Sequence, residues 1–368
     1  MDNKEIKKLL KDIDNSIERI DKKQNKLMFF VADSKGTPIG SLSYIYDLAY
    51  KLQEMGYNVQ MLYAEKDFTG VASWMGEKYA NLPHYNVGKD IVDVNPSDVV
   101  FIPELYSSVM TKTKELKCKK VAILTNFDYM TDLIPYGATW MSMGIYDCIT
   151  TTNALKERLN EVFPQVRTRV IRPVIAPLFH PNPNQQLIVN IVTKDENAIS
   201  SIVKPFKWRF PHLGFVTFRA IVNKPKEEFA KYVAEGSVTV WVDPATDFGY
   251  SALEAMATNN IIIGKIPENI PEWMLDKEGL LKNNGIWFYR LRDLPVVLNE
   301  VITTLLYNEI PDELYDAMKE TVEEYTDEKQ KGELTKVIEE DIMQSHRSEM
   351  VLLKDAYKNK LNDENTAE

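Results

Sequence analysis

Within residues 1–26, Ile6, Leu9, Leu10, Ile13, Ile17 and Ile20 recur at helical spacing among alternating acidic and basic residues. That pattern predicts an amphipathic helix, packed on its own chain or against another subunit, so a homo-oligomer joined through the terminal helices is one expectation. From Leu27 onward short apolar runs alternate with helical stretches. Strands are expected at 26–33, 57–64, 98–104, 119–126 and 147–152. Helices are expected from Leu42 to Met55, stopped by Gly56, and from Asn153 to Val162, stopped by Pro164. Such alternation belongs to βαβ units on a parallel sheet, so residues 27–172 read as one Rossmann-like domain.

Pro173, Pro177, Pro181 and Pro183 follow closely, a density that suits a connection, and residues 173–186 read as a hinge. A second α/β run occupies 187–308, with strands over 185–193, 215–222, 237–243 and 260–266 and a helix from Ser251. Residues 309–368 read as an acidic helical extension whose polar end, KNKLNDENTAE, is expected to fray. The fold class predicted is therefore α/β, two Rossmann-like doubly wound domains facing a cleft, with flanking N- and C-terminal helices. Length agrees, because single cores stop growing near ~250 residues and this chain has 368.

Composition narrows the setting. With 44% hydrophobic and 27% charged residues the chain has ordinary globular usage. Cys118 and Cys148, each beside an apolar run, read as buried reduced thiols. No apolar stretch approaches the ~20 residues of a membrane span, and the charged start MDNKEIKKLLKDID is no secretory signal, so the expected compartment is the cytoplasm. A net charge of −10 argues against sequence-independent wrapping of nucleic acid, while leaving room for a local basic groove.

Two segments carry candidate chemistry. The loop from Asp33 to Ser41 leaves the first strand and opens a helix near Gly40, where backbone N–H groups can approach an anion or a sugar hydroxyl. It reads equally as an ordinary tight turn, lacking both the dinucleotide fingerprint and the P-loop ending. The second segment, Asp243 to Ala257, lies between two strands. There Gly249 permits a strained turn, Ser251 is a good N-cap, and Glu254, in the first helical turn, can accept hydrogen bonds from ribose hydroxyls. Its plain alternative is a solvated, helix-stabilising glutamate. A third stretch, residues 204–212, alternates Phe206, Trp208 and Phe210 with Lys207 and Arg209. It reads as a half-buried strand or extended arm, whose composition also suits contact with a nucleotide or a nucleic acid.

The second segment resembles the hallmark of retaining GT-B glycosyltransferases of the group 1, or family 4, type. That pattern is Glu, seven residues, Glu, with Phe-Gly early in the gap and Leu before the second Glu. Phe248, Gly249, Leu253 and Glu254 match it, followed by Ala-Met-Ala, while Thr246 stands where the first Glu belongs and Asp247 offers a carboxylate one position later. The early loop and the segments YDCITTTNALKERL and VIRPVIAPLFHP resemble further parts of the family, in the same order.

What the resemblance implies is a glycosyltransferase acting with retention on a nucleotide sugar, a UDP-sugar first. Its acceptor would be a glycan precursor, a protein or a modified nucleobase. Donor-binding residues would be Gly40, Lys194, Lys204, Phe248, Gly249, Tyr250, Ser251 and Glu254, with the two lysines on the diphosphate. Asn126, in place of the family His, together with Asp128 and Asp247 would be the catalytic candidates. No cofactor or metal is implied, since the lone Asp-x-Asp, Asp12 and Asp14, lies in the N-terminal helix. Thr246 and Asn126 also motivate a second expectation, a non-catalytic scaffold that kept the fold.

Overall fold

A computed structural model describes residues 3–193, 196–242 and 248–367. After helix α1 (Asn3–Asp21), the first lobe is built on seven parallel strands: β1 (Lys26–Phe30), β2 (Asn58–Tyr63), β3 (His84–Asn86), β4 (Val99–Pro103), β5 (Lys119–Leu124), β6 (Asp147–Thr150) and β7 (Arg167–Val170). Their order is β3-β2-β1-β4-β5-β6-β7, the doubly wound arrangement that puts helices on both faces. The strands are apolar throughout because both faces are covered. Leu27 and Phe29 enter one core with Val99 and Phe101, while Met28 and Phe30 enter the opposite one with Val100 and Ile102. Helices α2 (Gly40–Glu54), α3 (Ala72–Met75), α4 (Ser107–Lys112), α5 (Phe127–Leu133) and α6 (Asn153–Val162) connect the strands.

The second sheet has order β12-β11-β10-β8-β9, again parallel. Its strands are β8 (Gln186–Val192), β9 (Thr217–Ile221), β10 (Gly236–Trp241), β11 (Ile261–Lys265) and β12 (Ile286–Phe288). Helices α7 (Glu196–Arg209), α8 (Lys226–Glu235), α9 (Tyr250–Met256) and α10 (Leu294–Leu306) accompany them. The expected two-lobed α/β class is what the chain adopts. Strands β3, β7 and β12, of three or four residues each, are too short to leave a periodic signal.

Two expectations about local structure fail. Residues 204–209 are helical, the end of α7, not a strand or an extended arm. Ile202 and Phe206, four apart, are both buried in the second lobe, whereas Trp208 is 77% exposed. A strand would put Phe206 and Trp208 on one face; a helix separates them. The polar C-terminal tail, expected to fray, is helical as far as Ala367. Beyond α11 (Asp312–Val322) and α12 (Asp327–Leu334), a π-helical stretch (Thr335–Met343) leads into α13 (Gln344–Ala367).

This C-terminal run returns to the first lobe. Leu334, Val337, Ile338 and Ile342 share a core with Ile13 and Ile20 of α1. Arg172–Glu333 (2.6 Å), Arg169–Asp341 (3.1 Å) and Lys119–Glu349 (2.9 Å) fasten it from outside. The apolar stripe of α1 is thus covered within the chain, and Asp14 pairs with Lys354 of α13. Cys118 and Cys148 are free and buried; burial pushes the Cys118 thiol up to about 11. Among the described residues no helix is long and apolar enough to cross a membrane.

Candidate active site

The carboxyl ends of the parallel strands point into the space between the lobes, where open α/β sheets bind ligands. A cavity of about 230 Å³ lies there. From the second lobe it is lined by Val192 and Thr193 at the end of β8, Ile221 and Asn223 at the end of β9, and Gly249 to Ser251 at the start of α9. The first lobe contributes Pro38, Ile39 and Gly40, then Ser43 of α2 and Trp74 of α3.

Gly249 is fixed by its surroundings. Its φ is +78°, and a Cβ there would lie 2.9 Å from Cζ2 of Trp241, so only glycine fits without displacing the indole. Trp273 donates its Nε1 hydrogen to the Phe248 carbonyl, and the Trp241, Trp273 and Trp287 rings stand together with centroids 5.8–6.5 Å apart. The turn into α9 therefore rests on an aromatic floor. Gly249, not Ser251, occupies the N-cap position; Ser251 lies within the first helical turn and faces the cavity.

Glu254 departs from its expected setting. It sits in the second turn of α9, and it is buried, only 7% exposed, not solvated. Burial pushes its carboxyl up to about 7; Lys226, 3.9 Å away, pulls the other way, and Asp47 of α2 in the opposite lobe adds to the rise. Asp47 accepts a hydrogen bond from the Tyr79 hydroxyl. The Tyr250 ring bridges the two lobes, packing on the cores of both, and lies 3.4 Å from where a Gly40 Cβ would be. Its phenol oxygen is buried and has no hydrogen-bond partner among the described residues, and burial, with Asp47 nearby, holds it well above the usual tyrosine range. A hydrogen bond between the lobes runs from the Asn153 N–H at the head of α6 to Glu272 Oε2, at 2.8 Å.

Gly40, Gly249, Tyr250, Ser251 and Glu254 are thus gathered around one cavity. Phe248 supports it from the core, edge-on to Tyr250 and Tyr325. Lys204 does not belong: it is exposed on α7 and absent from the cavity wall. Among the described residues the cations that line the wall are Lys224, before α8, and Lys226, its first residue. Their signal was legible as Lys-Pro-Lys directly after an apolar strand, the same strand-end position that singled out the other loops.

Asn126 and Asp128 stand apart from that cavity, at the end of β5. The Asn126 side chain caps α5, accepting from the Tyr129 N–H at 2.9 Å, and its own N–H donates to Glu104 Oε1 at 3.0 Å. Glu104, which the sequence reading passed over, also accepts from the Thr125 hydroxyl at 2.6 Å; its complete burial pushes its carboxyl up to about 7. Asp128 pairs with Arg158 at 3.1 Å. Lys194, Thr246 and Asp247 lie outside the described residues.

No protein-family model matches the chain, and no curated protein matches its sequence. Solved structures do resemble it. Sucrose-phosphate synthase from Thermosynechococcus elongatus superposes with a TM-score of 0.58 over 86% of this chain and 98% of its own, at 12% identity. HepE from Anabaena, solved with UDP-glucose, gives 0.57 over 85% and 99%, at 11% identity. A glycosyltransferase from Rickettsia africae gives 0.55 over 86% and 98%, at 12% identity. The chain has the GT-B glycosyltransferase fold.

Proposed function

We propose that this chain transfers a sugar from a nucleotide-sugar donor to an acceptor, with the donor held by the second lobe and the reaction taking place in the cleft. The observation that carries the reading is the convergence on one interlobe cavity of Gly249, Ser251 and Glu254 with two lysines, Lys224 and Lys226. A buried carboxylate next to cations is the pairing a nucleoside diphosphate needs, hydroxyls at one end and charge at the other. HepE and a pneumococcal O-GlcNAc transferase were solved with UDP-glucose and with UDP and GlcNAc. Those ligands support UDP-sugars as the first donors to try.

On this reading Glu254 accepts hydrogen bonds from the ribose hydroxyls, and Lys226, with Lys224 behind it, stabilises the charge that grows on the departing diphosphate. Lys224 is shared with Glu228 at 2.9 Å, which leaves Lys226 the larger part. Tyr250 ties the lobes beside the cavity and the Asn153–Glu272 bond ties them elsewhere, and a closed cleft keeps water from the donor. Retention of configuration, and catalytic roles for Asn126, Asp128 and Asp247, rest on the family resemblance alone, Asn126 and Asp128 standing outside this cavity. The acceptor is a glycan precursor, a protein or a modified nucleobase.

The test is donor turnover with and without acceptor mixtures, comparing the wild type with Glu254→Ala. The reading expects sugar release or transfer from one donor and at least a tenfold fall in the variant; equal turnover in the two proteins would remove Glu254 from the site.

A further inference from the structure

From Asn197 to Lys226 the sequence has no acidic residue but six lysines and arginines, in a chain of net charge −10. Half of those cations, Lys204, Lys207 and Arg209, fall on the last turns of α7. All three are exposed, as is His212 just beyond. Lys207 and Arg209 lie over the rings of Phe218 and Phe210, and no ion pair of the three is found among the described residues. Between them Trp208 is 77% exposed, and Phe215, past the turn, is 63% exposed. Of the nine residues from 207 to 215, seven are exposed, so this is a protrusion and not a groove.

Topology separates the protrusion from the cleft. Strands β8 and β9 are parallel neighbours, so α7 must carry the chain from the cavity end of β8 back to the far end, where β9 starts. A helix of 14 residues covers about 20 Å on that return. The cations and rings therefore stand at the pole of the second lobe opposite the donor cavity, which explains why Lys204 takes no part in it.

We propose that this pole is a docking surface for an anionic lipid bilayer. Phosphate head groups complement the uncompensated cations, while an indole and a phenyl ring held out in water gain by entering the interfacial layer. Tryptophan beside lysine at a protruding tip suits that layer, where an amphipathic ring lies between head groups and acyl chains. A single-stranded nucleic acid shares the charge preference but needs a channel lined with stacking platforms, and a substrate bound at this pole would be far from the reacting centre. Docked here, the second lobe would leave the cleft facing the aqueous side.

The experiment is co-sedimentation of the full chain with vesicles of phosphatidylcholine alone and of phosphatidylcholine mixed with phosphatidylglycerol. A single-stranded oligonucleotide is offered in a parallel arm. Expected is binding to the mixed vesicles only, weakened by salt. Lys204→Glu combined with Lys207→Glu and Arg209→Glu should lower it at least tenfold, and so should Trp208→Ala with Phe215→Ala. Melting temperature and UDP-sugar binding should be unchanged in both sets, which keeps this surface independent of the cleft. The proposal is overturned if mixed vesicles are not bound, if folded variants bind as well as the wild type, or if these residues capture the oligonucleotide in preference to vesicles.

Discussion

At the scale of single residues, the candidate site is governed by two groups whose surroundings dictate their chemistry. Gly249 has a positive φ and an indole 2.9 Å from where a Cβ would be. Gly249→Ala therefore combines left-handed strain with overpacking and should cost about 2–4 kcal/mol, read as a lowered denaturant midpoint at unchanged slope. A neutral result would mean that Trp241 yields easily. Glu254 presents the opposite case, a carboxyl that burial has raised to about 7. Its ionised form accepts ribose hydrogen bonds best, so donor affinity should climb as pH rises through about 7. Below that value it should fall by up to about tenfold per pH unit. Calorimetric titration across that range should show the slope in the wild type and a flat profile in Glu254→Gln. A slope that persists in the variant would assign the titration elsewhere.

At the scale of elements, the C-terminal run shows what strengthens one lobe. His346, in the first turn of α13, is buried against the backbone of Pro96 and Ser97, with Lys119 and Glu349 as charged neighbours. Burial lowers its pKa from 6.5 to about 4. The folded chain thus holds the ring neutral while the unfolded chain takes up a proton below about 6.5. The stability from this group is complete above that value and is lost as pH falls toward about 4, by about 3 kcal/mol in all. Buried Glu104 and Glu254, raised to about 7, change in the opposite sense, gaining stability as pH falls from about 7 to 4.5. Only a comparison with His346→Leu isolates the histidine: the stability gap between wild type and variant should shift by that amount between pH 6.5 and 4. A constant gap would show that the ring keeps a proton partner in the fold.

Elements also show where sequence was and was not legible. Strand runs such as KLMFFVAD in the first lobe and SVTVWV in the second announced both sheets because full burial demands continuous apolar residues. The chain segment 204–212 misled because alternating aromatics imitate a strand, while the buried pair Ile202 and Phe206 obeys the helical period. The polar tail looked unstructured for want of apolar residues, yet α13 lies along α1, a partner more than 300 residues away that no local pattern reveals.

At the scale of the whole molecule, the two lobes meet through Tyr250 against Gly40 and Glu272 against Asn153, with the cavity beside the first of these contacts. Gly249, Ser251 and Glu254 were visible in the sequence because a spaced motif holds them on one turn. The Lys-Pro-Lys signal could mark Lys226 but not its pairing with Glu254, and Asp47 left no signal, because the two come to Glu254 from different elements, one of them in the other lobe. The central claim is that a nucleotide sugar occupies this cavity with its diphosphate on Lys226. The measurement that tests it most directly is calorimetric binding of a panel of nucleoside diphosphates, nucleosides and nucleotide sugars to the wild type and to Lys226→Ala. The account predicts saturable binding of one nucleotide series, weakened at least tenfold by the variant for the diphosphate and unchanged for the nucleoside. Equal diphosphate affinity in the two proteins, or no binding by any member of the panel, would contradict it.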